Sequence, residues 1–334
     1  MVLMKPGMIM AKEMPKPSIR DDEVLVEVKS VSICGSDIEY YEAGRIGEFV
    51  VKEPLILGHE SAGLVTEVGK GVDNLKVGDR VAVEPVVGCR KCKYCKTGHY
   101  NICPDRTILA TPPTNGAFVE YLAHPADHVF KLPDSISYDE GALMEPLSVG
   151  IHAGERADVR LGDRVAVLGA GPIGLMAMQV ALAMGASEVM ITDVVDFRLK
   201  KAMDLGASEA INVRRDSIDS YASSFDKVIQ ASKAPEAFTQ AMKLVDRRGR
   251  ICHVGLLSVE EVPVDLNLIT TREFDIVGSF VYVYDYPRAI SMVNSGKVKL
   301  APLVSIHFSL DEVEKALRYP KEHPDSCIKT MVTF

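Results

Sequence analysis

Positive charge is in short supply in this chain. Lys and Arg number 38 against 46 Asp and Glu, a net charge of −8, and no stripe of sequence gathers the cations. That balance argues against nucleic acid as the main partner, because phosphate contacts need clustered positive charge. Low-complexity tracts are missing as well. The N-terminal MVLMKPGMIM has an apolar stretch too short and too broken by Pro and Gly to read as a secretory signal. With no such signal in view, the seven cysteines, an odd number, are expected as reduced thiols or metal ligands in the cytoplasm, not as disulfides.

What remains is a globular composition, 47% hydrophobic and 25% charged over 334 residues. That length exceeds one ordinary core, so two domains are expected. Residues 165–186, VAVLGAGPIGLMAMQVALAMGA, carry no charge and are long enough to span a bilayer. The glycines inside the run, Asp163 and Arg164 just before it and Asp193 soon after it favour a buried strand, a turn and a buried helix.

Four cysteines crowd into one short stretch. Cys89, Cys92, Cys95 and Cys103 follow a C-x2-C-x2-C-x7-C spacing, which brings thiolates together in tight turns and suits a tetrahedral all-sulfur zinc site. Arg90, Lys91, Lys93 and Lys96 interleave with them and would offset their charge. Four protein ligands leave no open position, so this zinc would be structural. An iron–sulfur cluster is the rival, although its usual spacings differ; metal-free thiols are another. A nucleic-acid-binding zinc ribbon is a third, opposed by the acidic net charge and by the scarcity of stacking aromatics, Tyr94 and Tyr100 alone.

The most informative run is 163–193. Arg164–Leu168 reads as a strand, and Gly169, Gly171 and Gly174 then spell G-x-G-x-x-G at the mouth of a helix opened by Pro172 and Ile173 and running to about Met184. Asp193 closes the next strand, 19 residues past Gly174. In that context the motif is a dinucleotide-binding fingerprint. Its first glycine makes the turn, its second admits a pyrophosphate, and its third lets helix and strand approach. The helix N-terminus offers free N–H groups to the phosphates. Asp193 would accept bonds from the ribose hydroxyls and repel a 2′-phosphate, favouring NAD over NADP; Arg198, five residues on, is the opposing signal. Strand-like and helix-like stretches alternate to about residue 281, which predicts a doubly wound parallel sheet.

Before residue 147 the texture changes to short alternating strands broken by Gly, Asp and Pro, an irregular β-barrel-like pattern. Cys34 in CGSD, His59 and Glu60 in GHE, and Glu145 in MEP are dispersed metal-ligand types. Taken singly, each also fits a plain structural role.

Together, ICGSDIEYYEAGRIGEFVVKEPLILGHESAGLV, the four-cysteine run, GALMEPLSVGIHA and GAGPIGLMAMQVALAMGA resemble the zinc-dependent medium-chain alcohol dehydrogenases. Within these the chain is most similar to the sorbitol (polyol) dehydrogenase branch. The likeness runs nearly the whole length, and GRIGEF, ATPP at 110–113 and EPLSVGIHA are specific to the branch. It implies an α/β fold: a GroES-like catalytic domain from 1–146 and 282–334, and an NAD-binding Rossmann domain from 147–281. It implies a catalytic zinc on Cys34, His59 and Glu60, with Glu145 beside the metal-bound oxygen or exchanging onto the metal. Asp37 would orient His59, Ser36 would pass the proton outward, and Tyr40, Phe118 and Tyr282 would line the substrate pocket. It implies two zinc ions per chain, one catalytic and one structural, NAD as cofactor, an alcohol or polyol substrate, and a homotetramer. The expected reaction is oxidation of a secondary alcohol to a ketone, or the reverse.

Two departures bear on the substrate. The branch usually has Phe-Arg-Tyr where this chain has Phe280-Val281-Tyr282, and Gln230-Ala231-Ser232-Lys233 replaces a Glu-Cys-(Thr or Ser)-Gly stretch. Threonine, 2,3-butanediol or a simple secondary alcohol therefore stand as alternative substrates. A catalytically silent NAD- and zinc-binding protein is the alternative of another class.

Overall fold

The computed structural model describes residues 1–257 and 261–334. The chain divides into two compact units. The first comprises Met1–Glu145, Tyr286–Asn294 and Leu300–Phe334; the second comprises Pro146–Asp285 and Ser295–Lys299.

The first unit is built on a seven-stranded sheet. Its order is Val129–Lys131, Arg80–Val83, Glu60–Val68, Glu23–Ser32, Lys329–Thr333, Val304–Ser309, with Tyr121–Pro125 also pairing along Glu23–Ser32. The central strand, EVLVEVKSVS, buries eight of its ten residues. Its β-branched Val24, Val26, Val28 and Val31 fill the core with Val65 and Val332, as suits stiff side chains on a pleated surface. Each fully buried aliphatic side chain contributes about 1.5–3 kcal/mol. Register then decides what meets what: Ser32 lies opposite Glu60 on one side and Met331 on the other. The C-terminal strand is thereby set close to the segment that carries His59 and Glu60.

The second unit holds six parallel strands in the order Glu209–Asn212, Glu188–Asp193, Arg164–Leu168, Phe225–Gln230, Val245–His253, Asp275–Gly278. This is the doubly wound order, which reverses direction beside its first strand. The strand RVAVL is buried from its second residue on, and the following helix Pro172–Met184 buries every residue from Gly174 to Ala181. Burial on all sides explains the long uncharged run. Among the described residues no helix is long and apolar enough to cross a membrane.

The apolar pattern of EFDIVGSFVYVY runs on past Gly278, but the strand spans only Asp275–Gly278. Beyond it Val281 and Tyr284 sit at φ 54° and 55°, a left-handed backbone that a β-branched residue adopts only under strain and that ends strand pairing.

Candidate active site

Cys34 caps the helix Gly35–Ala43, directly after the central strand. Asp37, at the third position of that helix and fully buried, accepts the backbone N–H of Cys34 at 3.0 Å and that of Gly58 at 2.8 Å. Its Oδ1 lies 3.7 Å from His59 Nδ1. Burial pushes the Asp37 carboxyl up, but His59 and the two amides outweigh it and hold it below the usual carboxylate range. Gly58, at φ +86°, makes the turn into His59, and a Cβ there would stand 2.9 Å from the Phe118 ring. The glycine of GHE is thus required both by conformation and by space.

Cys34, His59 and Glu60 converge from two chain segments, and their ligand atoms all lie within 4.8 Å of one another. Burial pulls the His59 proton affinity down, yet Cys34 and Asp37 overcome it and hold the imidazole well above its ordinary pKa. A sulfur, a nitrogen and an oxygen donor make three protein ligands, the number that catalytic zinc takes. Glu145, buried in the first turn of the helix Met144–Arg156, falls outside that three-member set. Its charge reaches Lys329.

Lys329 was not singled out by the sequence. Its ammonium donates to Glu60 Oε2 at 2.5 Å and to the Ile33 carbonyl at 2.8 Å. Burial pulls its pKa down, and Glu60 and then Cys34 outweigh that and hold it above the usual value. The available signal was a lone lysine inside the apolar run CIKTMVTF.

Of the other expected residues, Ser36 is half-buried at the start of its helix, whereas Tyr40 and Phe118 are buried. The Tyr40 hydroxyl meets the Thr111 side chain, and burial raises its pKa. Tyr282 is fully buried and belongs to the second unit.

The four-cysteine lobe closes on itself. Cys92 Sγ lies 3.7 Å from Cys103 Sγ, the Cys89 N–H points at Cys103 Sγ and the Cys95 N–H at Cys92 Sγ, each at 3.4 Å. All four sulfurs lie within 4.8 Å of one another and none is in a disulfide. Tetrahedral Zn–S bonds place sulfurs about 3.8 Å apart, so the lobe fits a single ion.

In the second unit, Gly169 turns at φ +101°, and a Cβ on Gly174 would stand 1.7 Å from the Gly169 carbonyl. Gly171 caps the helix and Pro172 opens it, with Ile173 next. Asp193 Oδ2 accepts the Ala170 N–H at 2.7 Å, and Oδ1 accepts those of Val194 and Val195 at 2.7 and 3.0 Å. Arg198 lies on the helix Asp196–Asp204 with its Nε buried and without a hydrogen-bond partner among the described residues. Arg215 is committed to Asp196 through two bonds, 2.7 and 3.1 Å. The turn, the helix N-terminus and the fixed carboxylate suit a dinucleotide.

Comparison with known proteins agrees with this geometry. Residues 20–134 match the family of the alcohol dehydrogenase GroES-like domain, and residues 172–295 match the zinc-binding dehydrogenase family. The sorbitol dehydrogenase of Bacillus subtilis (strain 168) is 44% identical over 97% of this chain and 94% of its own length. An Escherichia coli oxidoreductase/dehydrogenase of unknown specificity superposes with a TM-score of 0.95 at 35% identity, covering 99% of this chain and 97% of that one. An alcohol dehydrogenase from E. coli CFT073, solved with NADH, gives a TM-score of 0.93 at 31% identity, over 100% and 98% of the two chains. With near-complete coverage on both sides and a zinc-type donor set in place, the chain belongs to the zinc-dependent medium-chain alcohol dehydrogenases, in their sorbitol dehydrogenase branch.

Proposed function

We propose that this dehydrogenase oxidises a secondary alcohol of a polyol to the ketone, or runs the reverse, with NAD as hydride partner. The observation that carries the reading is the convergence of Cys34, His59 and Glu60 within 4.8 Å, in a chain 44% identical to a sorbitol dehydrogenase. When bound, zinc supplies the Lewis acidity that brings an alcohol's pKa toward neutrality, and NAD supplies the hydride acceptor.

The chain's own residues do the rest. Asp37, itself fixed by two amides, holds the His59 ring in one orientation and one tautomer. Ser36 is the residue assigned to carry the alcohol proton outward, and its half-buried place two residues after Cys34 supports that role. Glu145 offers a second buried carboxylate near the same centre. Tyr40 and Phe118 are assigned to the substrate pocket. Gly169, Gly171, Gly174 and the helix N-terminus receive the pyrophosphate, Asp193 the ribose, and Arg198 the adenine end. We assign one zinc to Cys34, His59 and Glu60, and a structural one to the four-cysteine lobe. The assigned compartment is the cytoplasm, supported by seven thiols free of disulfides.

The assigned assembly is a homotetramer. Asp275–Gly278 is the last strand of its sheet, with Ile276 exposed, and such an edge suits pairing with a second copy. Light scattering of the purified chain tests this.

Val281, in place of the branch's usual arginine, favours one second reading: a diol, threonine or a simple secondary alcohol. The test is NADH absorbance with sorbitol, xylitol, ribitol, galactitol, 2,3-butanediol, threonine and simple secondary alcohols, with and without a chelator. Chelator-sensitive turnover of a polyol is expected. Turnover confined to the others moves the substrate class, and none at all supports a silent NAD- and zinc-binding protein.

A further inference from the structure

Lys329 is buried, and among the described residues no other lysine or arginine is. Side chains of Lys329 and Glu60 are each only 2% exposed. The ammonium also takes the Ile33 carbonyl at 2.8 Å, so it touches the residue before Cys34 and the residue after His59. Stability is a poor reason for such a pair. Replacing a buried ion pair by well-packed apolar residues is often neutral or favourable, whereas removing one partner is costly. The neighbouring Met331 and Val332 show that this strand carries apolar residues without difficulty.

The location supplies a better reason. Glu60 belongs to the three-member ligand set, and one of its two oxygens is already bonded to a cation. A carboxylate shared with an ammonium has less charge and fewer lone pairs to give a second cation. We infer that Lys329 is a positioning residue that competes with the metal for the Glu60 carboxylate and keeps Glu60 the exchangeable member of the ligand set. Before metal arrives, Lys329 neutralises a buried carboxylate that would otherwise be unpaired. Once metal is present, it limits the hold of Glu60 on that ion. This rests on the assignment of Cys34, His59 and Glu60 as the catalytic zinc ligands.

The experiment measures metal, not turnover. Zinc per chain is counted for the whole protein and for Cys34→Ser, and affinity at the Cys34-dependent site is read by competition with a chromophoric chelator. Equal zinc content in the two proteins overturns the underlying ligand assignment. If Cys34→Ser loses one ion, Lys329→Met is expected to hold that ion about tenfold or more tighter than wild type, at the low end of known effects of outer partners on metal affinity. Lys329→Arg should stay near wild type. In a Glu60→Gln background, Lys329→Met should change nothing, because the competition acts through Glu60. The gap in melting temperature between metal-free and zinc-loaded protein should widen in Lys329→Met. Unchanged or weaker zinc affinity in Lys329→Met, or a gain that persists without Glu60, overturns the inference while leaving the ligand assignment intact. Should metal-free Lys329→Met fail to fold, the rate at which the zinc-loaded variant releases its ion to the chelator is measured instead. Slower release than wild type supports the inference, and equal or faster release overturns it.

Discussion

The Asp193 carboxylate accepts the backbone N–H of Ala170 at 2.7 Å, tying the end of one strand to the glycine turn that follows its neighbour. Its other oxygen takes the N–H groups of Val194 and Val195. The same side chain therefore shapes the turn and presents charge to a ribose. Asp193→Ala should lose both roles. NAD is expected to bind about tenfold or more weakly, the scale of one hydrogen bond to a charged group, and discrimination against NADP should relax. Asp193→Asn should lie between. Titration followed by NADH fluorescence, with NADPH in parallel, measures this; an unchanged ratio of the two affinities would exclude the assigned role.

Asp37 is buried with two backbone donors and an imidazole upon it. Asp37→Ala orphans both amides and frees the His59 ring. A loss of about 2–4 kcal/mol in stability is expected from the buried unpaired groups. Asp37→Asn keeps the shape, removes the charge and can still accept one of the two amides, so it should lose less stability than Asp37→Ala while zinc at Cys34 binds 10- to 100-fold more weakly, roughly the range for partners that orient a ligand. Metal content and melting temperature, measured on both variants, separate the two effects. Full zinc retention by a folded Asp37→Ala would contradict the orienting role.

The site was legible where its residues are local and patterned. G-x-G-x-x-G between strand and helix, and four cysteines at regular spacing, announce themselves because turn geometry and ligand spacing are short-range properties. The partnership of Lys329 with Glu60 spans 269 residues and follows from a C-terminal strand that returns beside Glu23–Ser32, which no periodicity reports. The end of the strand Asp275–Gly278 is hidden in the sequence for a related reason. Its apolar pattern continues past Gly278, but the backbone turns left-handed at Val281 and Tyr284, and tertiary surroundings, not residue type, impose that.

Metal removal should act on the two zinc assignments differently. The four-cysteine lobe has only short elements, Lys93–Lys96 and Tyr100–Ile102, to hold it, so an ion is its main cross-link. Cys103→Ser should expose residues 88–103 to protease and lower the melting temperature by roughly 5–15 °C, the equivalent of a few kcal/mol in a chain of this size. NAD binding should persist, because the glycine turn lies in the other unit. Cys34→Ala should instead abolish turnover with little change in protease sensitivity. The reverse pattern, with Cys34→Ala unfolding the lobe, would exchange the two assignments.

Acid sensitivity should trace in part to His124. The ring is buried with Nε2 2.8 Å from the Glu84 carbonyl. Burial, followed by the charge of His128, lowers its pKa to about 3, against about 6.5 in the unfolded chain. Between those values the unfolded state binds a proton that the folded state refuses, so stability must fall as pH drops through that window. The slope reaches about 1.4 kcal/mol per pH unit for one group. His124→Gln keeps an N–H able to reach the Glu84 carbonyl but cannot be protonated. Its melting temperature, followed by circular dichroism because the chain has no tryptophan, should therefore decline less steeply than wild type between pH 6.5 and 4.5, a window set by the two pKa values and cut short of general acid unfolding. Parallel curves for the two proteins would mean that His124 is protonated in the fold and that the acid sensitivity lies elsewhere.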